Sequence, residues 1–282
     1  MMGKNINFSI IIPHYNNVVG LKRLLNSIYT PGYTGEVIVV DDRSNDEVRR
    51  VLHDLATAFP QLTIYFNVQN LGPGISRNIG IEKACGKWII FADADDVFTE
   101  KSFELLSKYK NSKSQVVYFR PKFLSNNATD YRFKYQRLVD FYNQNPDKKN
   151  ELLIRTQYGA PWSKMIKRKL ITDFKISFDT GMMFEDSLFG LKVGLLAKKI
   201  SVSKQEFYHI LDTEGSLSKK RDPNYSQNFV NMKVNRFNFQ KSILMKDEKK
   251  YLKFSRFSML KSVFATTRSI KLTIEALRKT YS

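Results

Sequence analysis

The feature that most constrains the fold is an alternation of apolar runs and helical repeats over the first hundred residues. Strand-like runs occupy residues 8–12, 36–40, 62–66 and 87–92. Between them, apolar residues recur at the i, i+3, i+4, i+7 spacing of an amphipathic helix. The repeating positions are Leu21, Leu24, Leu25 and Ile28, and then Val48, Val51, Leu52 and Leu55. This alternation predicts an α/β fold with a mostly parallel sheet covered by helices.

A third helix is predicted to begin near Pro73, because proline suits the first helical turn. Ile75, Ile79 and Ala84 are expected to form its inner face. The only cysteine, Cys85, follows this segment and is interpreted as a core thiol rather than a nucleophile. A single cysteine excludes an intramolecular disulfide and a multi-cysteine metal site, and we expect a reducing cytosol.

The fourth strand-like run ends in three carboxylates, in the sequence Phe91-Ala-Asp-Ala-Asp-Asp96. If the strand continues, Asp93 and Asp95 project to the same side of it. Two carboxylates at the carboxyl end of a strand can hold a hard cation such as Mg²⁺ or Mn²⁺. The alternative is that Asp96 and Thr99 merely help to cap a helix at residues 100–109, and the cluster alone slightly favours that alternative.

Polar residues also follow the other predicted strands. Because the carboxyl ends of parallel strands meet at one edge of an open sheet, these residues are expected to line a common crevice. They are the run Pro13-His-Tyr-Asn16, the run Asp41-Asp-Arg-Ser44, and Asn70 with Gly72. An aromatic ring can stack on a base, and a carboxylate can accept from a base N–H or a ribose hydroxyl. With a metal at the aspartates, the crevice suits a nucleotide diphosphate.

Four ordered blocks resemble the consecutive signatures of family 2 glycosyltransferases. Three are Ser9-Ile-Ile-Ile-Pro-His-Tyr-Asn16, Val37-Ile-Val-Val-Asp-Asp-Arg-Ser44 and Asn70-Leu-Gly-Pro-Gly-Ile-Ser-Arg-Asn-Ile-Gly80. The fourth is the aspartate run, which resembles the family's metal-binding Asp-x-Asp motif. The resemblance is close over residues 6–110 and continues loosely to residue 220. Arg43 departs from the pattern, because the family usually has glycine before the serine.

The resemblance implies a GT-A fold, which has a Rossmann-like, mostly parallel central sheet with helices on both faces. Residues 1–220 would form the glycosyltransferase domain, with a nucleotide-sugar-binding half at 1–110 and an acceptor-side half at 111–220. Residues 221–282 would form a basic helical extension. Acceptor specificity is expected within residues 125–158, where loops are marked by Asn126, Asn127, Asn143, Gln144, Asn145 and Pro146.

The resemblance also assigns roles at the nucleotide sugar. The residues placed there are Pro13, Tyr15, Asp41, Asp42, Asn70, Arg77, Asp93 and Ala94. Pro13 and Tyr15 would border the uracil of a UDP-sugar. Asp42, with Asp41 in reserve, would accept a hydrogen bond from the base. Arg77 would face the nucleotide or brace the aspartates, and a structural ion pair is an equally favoured alternative.

A metal is implied at the diphosphate. Asp95 would ligate Mn²⁺ or Mg²⁺, while Asp93 would contact the ribose, a metal-bound water or the metal itself. The metal would neutralise charge that develops on the leaving UDP. His209, followed by a polar turn at residues 214–218, is a further candidate ligand for the metal or a phosphate, although a surface histidine is the commoner outcome.

An acidic pair on the acceptor side, Glu185 and Asp186, resembles the family's catalytic carboxylates. On spacing alone the pair would only complement a helix dipole, but the upstream blocks favour catalysis. Asp186 is the candidate base that removes the acceptor proton, with Glu185 in reserve, and a single displacement would invert the anomeric carbon. Trp162 and Lys164 lie in a segment that resembles an acceptor-side stretch, where Trp162 either floors a sugar or packs in the core.

The net charge of +19 is concentrated beyond residue 100, because residues 1–100 hold 9 Lys and Arg against 11 Asp and Glu. This excess implies an anionic partner. Nucleic acid is not expected, because the basic residues are dispersed among Leu and Phe at helical spacing and no nucleic-acid-binding module is recognisable. No window approaches the roughly 18 uncharged apolar residues that span a bilayer.

The C-terminal segment is predicted to be an amphipathic helix with a break at Thr266-Thr267. Its apolar stripe is Leu252, Met259, Leu260, Val263, Ile270, Ile274 and Leu277, with Lys249, Lys253, Arg256, Lys271 and Arg278 on one flank and Phe254, Phe257 and Phe264 further round. Packing on the catalytic domain is slightly favoured. The alternative is docking on an anionic membrane, which suits a lipid-linked acceptor and places the protein in the cytoplasm or at the inner face of the membrane.

The predicted function is inverting, metal-dependent transfer of a hexose or N-acetylhexosamine from a nucleotide sugar to a hydroxyl of a glycan or lipid-linked glycan. The alternatives are a non-catalytic sugar-nucleotide-binding or assembly protein, a nucleotidyltransferase and a nucleic-acid-binding protein. The complete set of Asp93, Asp95 and Asp186 speaks against a non-catalytic protein. The sequence after the first strand is not a Gly-rich phosphate loop with a basic residue, which speaks against a nucleotidyltransferase.

Overall fold

The alternation in the first hundred residues forms the predicted strands and helices. The computed structural model describes residues 6–29, 33–124, 133–181, 183–211 and 223–280. The elements of the first part are β1 (Phe8–His14), α1 (Val18–Ile28), β2 (Glu36–Asp41), α2 (Asp46–Ala58), β3 (Leu62–Phe66), α3 (Pro73–Lys83), β4 (Trp88–Phe91), β5 (Val97–Phe98) and α4 (Ser102–Tyr109). The remaining elements are β6 (Val116–Phe119), β7 (Lys122–Leu124), α5 (Lys134–Gln144), α6 (Lys148–Gln157), β8 (Lys164–Lys167), α7 (Arg168–Asp173), α8 (Glu185–Leu196), β9 (Ile200–Ser203), β10 (Tyr208–Leu211), α9 (Tyr225–Ile243), α10 (Lys246–Tyr251), α11 (Arg256–Thr267) and α12 (Ile270–Lys279).

The central sheet has seven strands in the order β3-β2-β1-β4-β8-β6-β9. Only β8 runs antiparallel to its neighbours, so the sheet is mostly parallel as predicted. A second sheet of three short strands, in the order β5-β10-β7, stands beside it. The parallel strands therefore deliver the loops after β1, β2 and β4 to one edge of the sheet.

Two apolar layers cover the faces of this sheet, because side chains alternate along each strand. Ile10 and Ile12 join one layer with the inner faces of α1 and α2, while Ile11 joins the other layer with α5, α6 and α8. The eight helical positions predicted for α1 and α2 all pack against the first layer. The expectation of helices on both faces of the sheet is confirmed.

The inner face predicted for α3 is wrong in part. Ala84 is buried and Ile79 packs against the layer that contains Ile11, but the residues buried within α3 itself are Gly74, Ser76, Arg77 and Gly80. Small residues are needed because α3 lies almost on β1, so that a methyl group at Gly80 would come within 2.3 Å of Ile11 Cγ2. The prediction of a buried thiol is also wrong, since Cys85 is exposed in the connection between α3 and β4.

Helices α5 and α6 occupy most of the stretch in which the sequence marked loops at six positions. Asn143 and Gln144 lie in the last turn of α5, although Asn145 and Pro146 do connect the two helices. Asn126 and Asn127 lie outside the described residues. Hydrophobic residues of both helices, including Leu138, Val139 and Ile154, pack under the acceptor side of the sheet.

The C-terminal helices pack around α9. Val230, Val234 and Phe237 of α9 form a small core with Met259 and Val263 of α11. The predicted break lies slightly later than expected, where Arg268 adopts a left-handed conformation and Ser269 caps α12. None of the described helices is both long enough and apolar enough to cross a bilayer.

Candidate active site

The loop after β2 is held by the buried carboxylate of Asp41. It accepts hydrogen bonds from His14 Nδ1 at 2.9 Å, from Ser44 Oγ at 2.5 Å and from the Ser44 amide at 3.1 Å. Burial would raise the pKa of Asp41, but these hydrogen bonds outweigh it and the pKa is lowered. Arg43 has a φ of 66°, a left-handed conformation that favours glycine, the residue that the family usually has at this position.

Asp42 anchors the turn that leads into α3. Its carboxylate accepts from the amides of Leu71 at 2.8 Å and Gly72 at 2.7 Å, and from Asn67 Nδ2 at 2.9 Å. Asn70 donates to the Asp42 carbonyl at 3.0 Å. Sequence reasoning missed this anchoring role, and the contact of Asp42 with a base stays a prediction.

Two other predicted donor-site residues lie at the open edge of the crevice. Tyr15 is 52% exposed and Pro13 is half-buried, so both are accessible to a ligand. Ala94 is buried in the loop after β4, and its carbonyl oxygen would be 2.7 Å from a methyl group at Gly20 of α1. The rim therefore presents an exposed aromatic ring next to the aspartate loop.

The three aspartates after β4 have different environments and roles. Asp96 is buried and accepts from Tyr208 Oη at 2.6 Å and from the Leu211 amide at 3.0 Å, so it fixes the loop and does not cap α4. The Tyr208 hydroxyl also accepts from the Asp93 amide at 2.8 Å. Burial, together with the charges of Asp93 and Asp95, raises the pKa of Asp96 well above its usual value. The two aspartates stood out in the sequence, but nothing there indicated Tyr208 as their partner.

Asp93 and Asp95 face the crevice. The Asp93 side chain is 34% exposed, and Asp95 is partly exposed with its carbonyl oxygen bound by Arg23 Nη2 at 2.6 Å. Carboxylate oxygens are the ligands that Mg²⁺ and Mn²⁺ prefer, and a diphosphate or water would have to complete the coordination. Among the described residues, no group of three or more His, Cys, Asp or Glu is arranged to hold a metal by itself. The donor set fits the implied cation as a shared site.

Arg77 connects the two halves of the site. Its Nη2 donates to Asp93 Oδ1 at 2.8 Å and its Nη1 donates to Glu185 Oε1 at 3.0 Å. The side chain is only 6% exposed and lies 5.3 Å from the Phe178 ring. Burial would lower the pKa of Arg77, but the two carboxylates outweigh it and raise the pKa. Arg77 therefore forms ion pairs with both carboxylates, which suits bracing of the aspartates and a structural ion pair alike, and its role at a nucleotide stays a prediction.

The acidic pair begins α8, as the sequence predicted. Phe184 precedes it with a φ of 60°, and a methyl group at Gly74 would come within 2.9 Å of Glu185 Cγ. Burial and the charge of Glu185 raise the pKa of Asp186 to about 7, although Arg77 and Lys164 oppose this shift. A carboxyl group with this pKa can exchange a proton near neutral pH.

The predicted acceptor-side residues lie behind this pair. Lys164 is fully buried in β8, donates to the Tyr158 carbonyl at 2.8 Å and lies 4.7 Å from the Tyr158 ring. Burial lowers the pKa of Lys164 to about 7. Trp162 stacks on Tyr208 with ring centroids 6.1 Å apart and meets Tyr135 edge-on at 5.3 Å. Trp162 thus connects the aspartate loop to the acceptor side through Tyr208.

His209 lies on β10 next to Tyr208, and adjacent strand residues project to opposite sides. Its Nε2 is 3.9 Å from Glu206 Oε2, and burial together with Lys122 lowers its pKa. The polar turn at residues 214–218 lies outside the described residues. A metal or phosphate contact of His209 stays a prediction.

Comparison with known proteins identifies the class that this fold and crevice define. The sequence model of the family described as Glycosyl transferase family 2 matches residues 9–174 of the chain. The chain therefore belongs to this family. Glycosyltransferase GlyA of Streptococcus pneumoniae is 28% identical over 221 residues, which are 75% of this chain and 31% of the relative. The poly(ribitol-phosphate) beta-N-acetylglucosaminyltransferase TarS of Staphylococcus aureus is 26% identical over 216 residues, which are 74% of this chain and 36% of the relative. The chain thus spans about a third of the length of these relatives.

Solved structures show the same fold. The crystal structure of residues 1–349 of S. aureus TarS in complex with UDP-GlcNAc has a TM-score of 0.71 at 24% identity, covering 96% of this chain and 80% of that one. A mannosyltransferase from Pyrobaculum calidifontis in complex with GDP-Man and Mn²⁺ has a TM-score of 0.60 at 16% identity, covering 98% and 75%. The expected GT-A architecture is therefore confirmed.

Proposed function

We propose that this protein transfers a hexose or N-acetylhexosamine from a nucleotide sugar, preferably UDP-linked, to a hydroxyl group of a glycan or lipid-linked glycan, with inversion at the anomeric carbon. The observation that carries the proposal is the Arg77 bridge from Asp93 to Glu185. This bridge connects the carboxylates that suit a metal bound to the diphosphate with the acidic pair that suits the acceptor. One buried guanidinium thus fixes the position of the nucleotide-sugar site relative to the catalytic carboxylates.

Asp186 is the base in this mechanism. Glu185 is engaged by Arg77, whereas the high pKa of Asp186 matches a group that accepts a proton near neutral pH. Asp186 takes the proton of the acceptor hydroxyl as the oxygen attacks the anomeric carbon from the side opposite the diphosphate. Asp95 and Asp93 would hold Mn²⁺ or Mg²⁺, which would supply positive charge at the leaving diphosphate. Tyr15 and Pro13 orient the nucleobase of the donor at the exposed rim.

UDP is favoured over other nucleotides by the family resemblance, and a related fold was crystallised with UDP-GlcNAc. The first experiment is calorimetric titration of UDP, GDP and dTDP with and without Mn²⁺, on the wild type and on Asp95→Ala. We expect metal-dependent binding of UDP that Asp95→Ala weakens at least about tenfold, because the variant removes one ligand of the shared cation. Binding that is equally tight without metal, or unchanged in the variant, would contradict the proposed metal site.

A non-catalytic sugar-nucleotide-binding protein is the alternative. It would bind UDP in the same titration but release no UDP from a UDP-sugar in the presence of acceptor. Screening UDP-glucose, UDP-galactose and their N-acetylated forms for release of UDP distinguishes the two functions. A nucleotidyltransferase would instead release pyrophosphate from UTP and a sugar phosphate.

An anionic membrane surface is a proposed partner of the C-terminal helices, taken as the extension from residue 221. Phe257 is 78% exposed, and Phe264 lies two turns later on the same face of α11 with the exposed Lys261 between them. Ile270 is 69% exposed at the start of α12, beside Lys271. Exposed aromatic and aliphatic side chains interleaved with cations favour the interface of an acidic bilayer, where a lipid-linked acceptor would be found.

Sedimentation with liposomes tests this partner. Removal of residues after 241 would expose the core that α9 shares with α11, so point variants are the better probe. Phe257→Ser combined with Phe264→Ser should lose binding to vesicles of acidic lipid, while Thr266→Ala should not. Equal binding of the wild type to neutral and acidic vesicles would exclude an electrostatic docking surface.

A further inference from the structure

Three cations converge on the acceptor side of the site. Lys134 begins α5, and Lys233 and Arg236 lie one turn apart on the same face of α9. Arg236 reaches the first turn of α8, where its Nη1 donates to the carbonyl oxygen of Ser187 at 2.5 Å and to Ser187 Oγ at 3.2 Å. Its Nη2 donates to the Thr156 carbonyl at 2.5 Å. The guanidinium is therefore held in place directly beside Asp186.

Among the described residues, none of these three cations forms an ion pair with a carboxylate, whereas Arg120 is paired with Asp140 and Glu206. Arg236 donates to the neutral oxygens of Ser187 and Thr156, while the nearby charge of Asp186 opposes the lowering of the Arg236 pKa by burial. Burial lowers the pKa of both lysines, and the charges that add to this effect are cations, Arg236 for Lys233 and both Arg236 and Lys233 for Lys134. Across the described part of the chain, no carboxylate forms an ion pair with either lysine. Cations grouped in this way repel one another until an anion binds between them.

Aromatic rings surround the same cations. Lys233 Nζ is 5.2 Å from the centroid of Phe229, which stacks on Tyr225, and both rings pack against Phe184 next to the acidic pair. Tyr135, next to Lys134 in the chain, meets the Trp162 ring. Rings and cations placed together suit a ligand that carries both carbohydrate or polyol groups and negative charge.

We propose that Lys134, Lys233 and Arg236 bind a phosphate group of the acceptor, so that the acceptor is a phosphate-bearing glycan or polyol rather than a neutral sugar. The inference rests on the proposed function for its meaning as an acceptor site. The position beside Ser187 favours the acceptor over the donor, because Tyr15 and Asp42 lie at the ends of β1 and β2 on the donor side. Arg236 offers a fixed fork for the phosphate oxygens, and the two lysines add charge.

A direct binding experiment tests the site without relying on catalysis. The probe is a phosphodiester-linked glycerol tetramer, titrated by calorimetry at constant ionic strength, with free glycerol as the uncharged comparison. UDP and Mn²⁺ are present at saturation, so that the donor site is already occupied. The variant is Lys134→Gln with Lys233→Gln, because replacing Arg236 would also break its contacts to Thr156 and Ser187. The matched control is Lys198→Gln with Lys199→Gln, two exposed lysines that precede β9.

We expect the wild type and the control to bind the tetramer alike, and the Lys134/Lys233 variant to bind it about tenfold or more weakly. Glycerol should not bind detectably. Equal loss in both variants would reduce the effect to general charge and overturn the proposal, as would displacement of the tetramer by UDP, which would assign the cluster to the donor. Failure of UDP itself to bind would contradict the proposed function and leave the tetramer titration as an independent result. Matching thermal unfolding curves establish that both variants are folded.

Discussion

At the scale of single residues, the site depends on a few buried groups whose charges are set by their neighbours. Asp186 has a pKa near 7 because it is buried beside Glu185, and the charges of Arg77 and Lys164 limit this rise of the pKa. Only its deprotonated form can accept the acceptor proton, so transfer should fall as the pH drops below about 7. We expect Asp186→Asn to reduce kcat by about 10²- to 10⁴-fold while UDP binding persists. An Asp186→Asn variant that stays active while Glu185→Gln is inactive with unchanged UDP affinity would assign the base to Glu185 instead.

Lys164 is expected to tune that base. Its charge favours the ionised form of Asp186, so Lys164→Met should raise the pKa of Asp186 and move the acidic limb of the pH–rate profile to higher pH. The control is Lys167→Met at the end of the same strand, whose charge does not act on Asp186. A pH–rate profile of Lys164→Met that keeps the wild-type midpoint but has a lower maximal rate would mean that Lys164 only contributes packing.

Arg43 shows how a departure from a family pattern can be absorbed. Its left-handed φ of 66° costs an L-residue about 1 kcal/mol, and a β-branched side chain costs more. Arg43→Gly should therefore leave the free energy of unfolding within about 1 kcal/mol of the wild type, whereas Arg43→Val should lower it by about 1–2 kcal/mol. Urea unfolding measures both changes. Equal stability of the two variants would mean that the loop does not need this conformation.

At the scale of elements, close packing of α3 on β1 places Arg77 where it can bridge the two acids. Gly80→Ala should destabilise the protein by about 1–3 kcal/mol, although alanine is the better helix former, because its methyl group would lie 2.3 Å from Ile11 Cγ2. Glu82→Ala, an exposed position in the same helix, should change stability by less than about 0.5 kcal/mol. Denaturant unfolding of both variants separates packing from helix propensity. A neutral Gly80→Ala would show that α3 can move away from the sheet.

The same helix shows what a sequence can and cannot predict. Strands β1 to β4 and helices α1 and α2 were predictable because burial on a sheet imposes a period of 2 and a helix on that sheet a period of 3.6. The burial of Gly74, Ser76 and Gly80 in α3 was not predictable, because small residues carry no apolar signal and are required only by the close approach of neighbouring elements. Asp42 and Tyr208 act through tertiary hydrogen bonds, which leave no periodic signal. Long-range contacts between Arg77 and Glu185 likewise emerge only from the folded chain.

At the scale of the whole molecule, the acidic pair should reduce the stability of the fold. The pKa of Asp186 is about 7 in the folded protein and about 4 when unfolded, so between these values the folded state binds more protons. Stability must therefore fall as the pH rises from about 4 to about 7. We expect Asp186→Asn to unfold at a higher temperature than the wild type at pH 8, with the difference vanishing near pH 4. The gain cannot exceed about 4 kcal/mol, the equivalent of the full shift.

Thermal unfolding of both proteins from pH 4 to pH 8 measures this effect, and Asp173→Asn is the control because it replaces an exposed carboxylate paired only with Lys169. Lys164 titrates over the next higher range with the opposite sign, since its lowered pKa weakens the fold as the pH falls from about 10.5 to about 7. Both proteins share that contribution, so the difference between them isolates Asp186 to the extent that the two groups titrate independently. A difference that is constant across the range would mean that Asp186 is ionised throughout, and the proposed base would then lack the raised pKa on which its assignment depends. A difference that closes toward low pH would show that the chain gives up stability to keep this proton acceptor in place.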